Sequence, residues 1–144
     1  MTLEEFVKKY IGKKVDFDMV YGAQCVDLFR QYNKEVWGNP HTGAVDGAKD
    51  LVVNYERMPL EQRFLSLVPV DRDIVKAGDV AVWNATEVNK YGHVAIVVGV
   101  LGDESLIVFE QDGFKQDGAK LNVRSSKNLL GFLRKKNVLV NSRI

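Results

Sequence analysis

The sequence predicts an α+β domain, with helices first and an antiparallel β-sheet after them. Three observations carry that expectation. Apolar residues recur at helical spacing early in the 144-residue chain, and short β-rich runs separated by turn residues begin at Val80. The helices and strands come in blocks instead of alternating, which argues against a parallel doubly wound sheet.

Taken in order, Leu3, Phe6, Val7, Tyr10 and Ile11 mark a short amphipathic helix that stops near Gly12. Residues 13–24 read as loop. A second helix runs over 24–37, with Leu28, Phe29, Tyr32 and Val36 as its apolar stripe, and Gly38-Asn39-Pro40 ends it. Glycines and a proline make 38–47 a surface loop, and a shorter third helix is expected over 48–55. Strands are expected at 80–83, 93–100, 105–110, 120–123 and 130–134, with Gly102-Asp103 as a two-residue hairpin turn. Residues 1–136 form one domain on this reading, and 137–144 form a tail, either disordered or a short extra strand.

A chain of 144 residues with 46% hydrophobic and 27% charged side chains buries a core without staples. Its net charge of +1 argues against a nucleic-acid binder, which needs a concentrated basic surface. No segment has the apolar length of a membrane span. The start, Met1-Thr2-Leu3-Glu4-Glu5-Phe6, lacks the features of a signal peptide, so synthesis in the cytoplasm is expected.

Cys25 is the single cysteine, which excludes an intramolecular disulfide. It lies where a glycine-containing loop enters the second helix. A thiol there meets the positive end of the macrodipole and unpaired backbone N–H groups, the setting of a reactive thiolate. The histidine His93 opens a hydrophobic run downstream, and the acids Glu110 and Asp112 close the next. A lone Cys with a distant His and acid is the sequence form of a thiol hydrolase. The alternative is a core cysteine, because position 25 falls one turn before Phe29 on the buried stripe.

A turn at Gly102-Asp103 sets Leu101 opposite Glu104, and counting outward places His93 opposite Asp112, with Glu110 its diagonal neighbour on the same face. Either acid then reaches the imidazole, at Cβ separations of about 4.5–5.5 Å across or about 7–8 Å diagonally. A shift of two residues puts Glu110 directly opposite. A shift of one puts neither acid on the histidine's face.

At these residues the chain resembles the CHAP family, the cysteine- and histidine-dependent amidohydrolases/peptidases common in phage lysins. The matching segments are Tyr21-Gly22-Ala23-Gln24-Cys25-Val26-Asp27-Leu28, Ala77-Gly78-Asp79-Val80-Ala81-Val82-Trp83 and Tyr91-Gly92-His93-Val94-Ala95-Ile96-Val97. Phe109-Glu110-Gln111-Asp112-Gly113 and Gly131-Phe132-Leu133-Arg134 complete them. The resemblance implies a papain-like fold with N-terminal helices packed on a central antiparallel sheet. It implies Cys25 as nucleophile, His93 as base and then acid, and Glu110 as the residue orienting His93. Gln24, or the Cys25 backbone N–H, would serve the oxyanion. Family members often carry Asn where this chain has Asp112, a departure that leaves the role of Asp112 open. The implied activity is phage endolysin-type cleavage of a peptidoglycan amide, as endopeptidase or amidase, at the bacterial cell wall after release or from a virion. A related NlpC-type cell-wall peptidase and a non-catalytic wall-binding module are the alternatives. The chain is expected to be a monomer, its wall targeting lying in the catalytic surface or on a separate chain.

Asp16, Asp18, Val20, Gly22 and Asp27 fall at positions 1, 3, 5, 7 and 12 of an EF-hand-type loop. Carboxylates bind calcium at 1, 3 and 12 of such loops, and backbone carbonyls serve elsewhere. Some phage CHAP domains resemble this, and because three acids would otherwise repel within one tight loop, a structural calcium ion just before Cys25 is expected. Against it, position 5 is apolar, position 6 is Tyr21 where such loops carry Gly, and position 12 is Asp. In the alternative reading Asp27 favours the first helical turn through the dipole and the other two are solvated acids. His41 reads as a surface-loop residue, and two histidines with one cysteine show no zinc spacing. Trp83 reads equally as groove lining or as core.

Overall fold

The computed structural model describes residues 1–70 and 75–137. Helix α1 (Leu3–Tyr10) starts at Thr2, whose hydroxyl accepts from Glu5 N while the Glu5 carboxylate accepts from Thr2 N. This reciprocal pair satisfies two amides that a helix start leaves open. Helix α2 (Cys25–Glu35) follows the 13–24 loop, and the chain leaves it through Gly38 in the left-handed region at φ +68°. Helix α3 (Asp50–Val53) is shorter than expected and passes into a 3-10 turn at Tyr55–Arg57. Two elements were not expected. Helix α4 (Pro59–Phe64) begins on a proline, whose missing N–H costs nothing at a first helical position, and strand β1 (Leu65–Val68) follows it directly.

The remaining strands are β2 (Val80–Trp83), β3 (His93–Leu101), β4 (Ser105–Glu110), β5 (Lys120–Ser125) and β6 (Leu129–Lys135). They form one antiparallel sheet in the order β1-β6-β2-β3-β4-β5. The α+β class and the helices-then-sheet order are therefore as expected. Any extra strand in the tail lies outside the described residues. No helix among those residues is long and apolar enough to cross a membrane.

Both faces of the central strands are covered. One core layer joins Phe6, Leu28, Phe29, Tyr32 and Leu51 to Val80, Val82, Val94, Ile96, Phe109 and Leu133. Phe6 packs against Tyr32 and Phe109 at centroid distances of 5.3 and 6.1 Å, which docks α1 onto α2 and the sheet. The other face buries Ala81, Trp83, Ala95, Val97, Leu106, Val108 and Phe132. This two-sided burial is why β2 reads as an unbroken apolar run.

The β3–β4 hairpin departs from the expected turn in a way that matters for the site. Leu101 pairs with Ser105, so the turn has three residues, and Glu104 takes the left-handed conformation at φ +64°. By itself that extra residue moves both acids off the face of His93. Val98 cancels the displacement. It lies unpaired where the register shifts between Val97 and Gly99, a bulge that adds one residue to β3 and so offsets the extra turn residue that leads into β4. Beyond it Ile96 faces Phe109 and Val97 faces Val108, the register that a two-residue turn gives.

Candidate active site

Cys25 is the first residue of α2 and half-buried, and it borders a cleft of about 590 Å³ that is also lined by His93, Gln24, Asp112, Tyr91 and Phe114. The core-cysteine alternative is half right, since Cys25 packs against the main core while facing the cleft. His93 opens β3, paired with Trp83 of β2. Trp83 is buried, its ring 5.8 Å from the imidazole and its N–H donating to Ser125 O at 2.9 Å. Of the two readings for this tryptophan, the core one holds.

His93 Nε2 lies 2.9 Å from Glu110 Oε1. That contact leaves Nδ1 as the ring nitrogen for Cys25. Glu110 is 1% exposed, and both of its oxygens are occupied: Arg124 donates through Nε to Oε1 and through Nη2 to Oε2 at 3.2 Å, and Asn122 donates to Oε2 at 2.9 Å. Burial raises the Glu110 carboxyl, but the hydrogen bonds from His93, Arg124 and Asn122 overcome it and hold the group down at about 2. His93 shows the reverse balance. Burial lowers it, hydrogen bonding to Cys25 and Glu110 raises it, and Arg124's charge opposes, leaving it at about 9. Asp112 does not take this place. Its Oδ1 accepts from Phe114 N at 2.8 Å and Lys115 N at 3.2 Å, closing a turn at the rim of the cleft.

The loop before Cys25 is splinted from the β4–β5 connection. Gln111, buried at the end of β4, accepts from Val15 N and donates to the carbonyls of Val15 and Gln24. Gln116 binds Ala23 in the same way, accepting from its N–H at 3.1 Å and donating to its carbonyl at 3.0 Å. Gln24 is exposed, and its backbone N–H donates to the Asp27 carboxylate at 2.9 Å. Arg124, Asn122, Gln111 and Gln116 were not singled out by sequence. The alternation of β5 puts Asn122 and Arg124 on the face of Glu110, but only the β4–β5 pairing reveals it.

The three loop acids do converge: Asp16, Asp18 and Asp27 each offer a carboxylate oxygen, all within 4.8 Å of one another. Asp16 Oδ1 is buried without a hydrogen-bond partner among the described residues. Burial first, and then the charges of Asp18 and Asp16, push the Asp27 carboxyl up to about 6 against the hydrogen bond from Gln24. Among the described residues, the cation paired with this group is Arg30, whose Nη1 stands 3.7 Å from Asp18 Oδ2. Three carboxylates against one guanidinium leave an excess of negative charge, and hard oxygen donors suit a calcium-sized divalent ion. The backbone turns through the left-handed region at Met19, Tyr21 and Gly22. Tyr21 thus adopts at position 6 the sharp turn for which such loops use Gly. Val20 N donates to Asp18 Oδ1 at 3.0 Å. His41 is exposed and stacks on Phe17, 5.5 Å away.

The family model for the CHAP domain matches residues 14–112. The chain is 30% identical to Endolysin PlyTW of Staphylococcus phage Twort (strain DSM 17442 / HER 48), over 65% of this chain and 19% of that protein. It therefore spans about a fifth of the length of that relative. Among solved structures, the wild-type endolysin LysIME-EF1 superposes with a TM-score of 0.66 at 20% identity, covering 93% of this chain and 64% of that one. Ly7917 superposes with a TM-score of 0.59 at 20% identity, covering 78% and 53%.

Proposed function

Since the chain belongs to the CHAP domain family, we propose that it is a cysteine hydrolase that cuts an amide bond of bacterial peptidoglycan, with Cys25 as nucleophile, His93 as acid and base, and Glu110 as the residue that orients His93. One observation carries the reading: a buried carboxylate contacts Nε2 of a histidine that shares a cleft with the only cysteine, at a helix start.

The steps follow from that arrangement. Cys25 gives its proton to His93, whose balance of contacts favours the imidazolium at neutral pH. The sulfur attacks the amide carbonyl, forming the C–S bond. The Cys25 backbone N–H, with the exposed Gln24 side chain beside it, stabilises the oxyanion. The imidazolium then protonates the leaving nitrogen as the C–N bond breaks. Water attacks the thioester with His93 as base, and Cys25 leaves as the acid product is released. Asp112 belongs to the cleft rim in this scheme and touches substrate, not the imidazole.

Asp16, Asp18 and Asp27, with backbone carbonyls at Val20 and Gly22, would hold a calcium ion that fixes the loop presenting Cys25. The ion supplies charge neutralisation and rigidity there. The enzyme acts at the cell wall as a monomer, as a phage lysin released into or carried to the host.

Cys25→Ala and Cys25→Ser test the assignment: both should abolish clearing of cell-wall suspensions while leaving the circular dichroism spectrum unchanged. Full clearing by Cys25→Ala would refute a thiol mechanism, whereas a parent chain that clears no walls and whose Cys25 is inert to a thiol-reactive probe at mildly acidic pH would favour a binding module. Mass spectrometry of fragments from defined peptidoglycans then separates endopeptidase from N-acetylmuramoyl-L-alanine amidase.

A further inference from the structure

Glu110 is buried at the end of β4, so its orientation depends on what holds it. Of its four recorded contacts, His93 makes one and β5 makes three: two from Arg124 and one from Asn122. A guanidinium fork on a carboxylate fixes the plane of the acid as well as its charge, which a single donor does not. Arg124 is held in turn. Its guanidinium carbon lies 6.0 Å from the ring of Trp83, and that ring also backs the imidazole. Arg124 is about one-third exposed and does not line the cleft, so it acts from behind the acid and not on a substrate.

We propose that Arg124 is a positioning residue of the hydrolytic reaction, its fork turning Glu110 Oε1 toward His93 and its charge keeping the imidazolium willing to release its proton to the leaving amine. The proposal rests on the reading of Cys25, His93 and Glu110 as the reacting set. Among the described residues, the charged and titratable groups acting on His93 are Cys25 from α2, Glu110 from β4 and Arg124 from β5, with uncharged Trp83 from β2 behind. Asp112, Asp46 and Tyr91 line the same cleft, and Lys49 packs on Gly92 with its ammonium paired to Asp50. The contacts with Cys25 and Glu110 favour the imidazolium, and Arg124 is the cation among these groups that opposes it. Without it the His93 proton is bound more tightly, and general-acid transfer slows. The edge strand β5 thus serves the site without reaching the cleft.

The test compares Arg124→Gln and Arg124→Lys with the parent chain, following turbidity kinetics on purified peptidoglycan sacculi, the His93 titration by NMR, and thermal melting. Arg124→Gln should lower kcat at least tenfold with KM within twofold, raise the His93 midpoint, and shift melting by only a few degrees. Arg124→Lys keeps the charge and loses the fork, so its His93 midpoint should stay near the parent's while kcat recovers in part. A parent-like kcat and an unmoved or lowered His93 midpoint in Arg124→Gln would overturn the proposal. So would a loss that tracks melting and is not rescued by lysine. If Arg124→Gln does not fold, Arg124→Lys decides: parent-like kcat overturns the role of the fork. Cys25→Ala is run beside them. An inactive Cys25→Ala with a fully active Arg124→Gln defeats this proposal alone, whereas an active Cys25→Ala defeats both.

Discussion

Replacing Glu110 by Gln removes one charge from a nearly isosteric side chain and tests the site where it is most buried. The carboxylate is 1% exposed and contacts His93, Arg124 and Asn122. Gln keeps one acceptor oxygen but turns an NH₂ toward one of these donors. Breaking a buried pair by removing one partner costs about 3–5 kcal/mol, and Arg124's access to water brings the expectation to the lower end. About 3 kcal/mol in a chain of this size lowers Tm by roughly 10 °C. The pH dependence has a definite sign. His93 is raised to about 9, so its stabilisation is full below the ordinary histidine value and is lost as pH rises through 9. Glu110 is depressed to about 2, so its stabilisation is present above the ordinary carboxylate range and is lost as pH falls toward 2. The Tm gap between parent and Glu110→Gln should therefore be widest near pH 5–6.5 and narrow toward both extremes. Without the carboxylate the His93 midpoint should fall by more than a unit, and wall-clearing activity should drop about 10²–10⁴-fold, the range of a misoriented general base. Scanning calorimetry across pH, NMR of the imidazole and turbidity assays measure the three effects. A Tm loss under 2 °C at pH 6 with His93 still titrating near 9 would refute the electrostatic account.

Four further outcomes follow from the geometry. Calcium should stabilise the chain at neutral pH by an amount that grows with ion concentration, reaching about 2.7 kcal/mol at a hundred times Kd and read as a rise in Tm, and a chelator should reverse it. The gain should be absent in Asp16→Asn/Asp27→Asn, and indifference of the parent chain to calcium would remove the site. Gly92→Ala should destabilise strongly and cut activity, because φ is +74° and the new Cβ would meet Trp83 O at 2.5 Å, beside His93. Gly22→Ala, also left-handed at φ +75°, would meet the Gln116 side chain at 2.7 Å; that side chain moves only by giving up its hydrogen bonds to Ala23, but Trp83 O is backbone, so calorimetry should show a smaller loss than at Gly92. Asp79→Asn weakens a two-bond pair to Arg134 at 2.8 Å, away from the cleft, and should lower stability by about 2 kcal/mol while leaving kcat unchanged.

The sequence by itself determined the order of helices and strands, the place of Cys25 at a helix start and of His93 at a strand start, and the clustering of three acids on either side of the nucleophile, Asp16 and Asp18 before it and Asp27 after it. These are local properties, written in apolar spacing, turn residues and short motifs. It also narrowed the partner of His93 to Glu110 or Asp112, because a hairpin's alternation is a counting argument. Tertiary structure decided what counting could not. The turn holds three residues instead of two, and only the Val98 bulge, marked in the sequence by nothing more than Gly99 beside it, returns the acids to the face of His93. Glu110 makes the contact, while Asp112 spends its oxygen on a turn. Helix α4 and strand β1 escaped notice because four residues on a sheet edge carry little periodicity. Arg124, Asn122, Gln111 and Gln116 were illegible for a related reason. Each acts on a residue 12 to 96 positions away, and such partnerships exist only once strands pair and loops close.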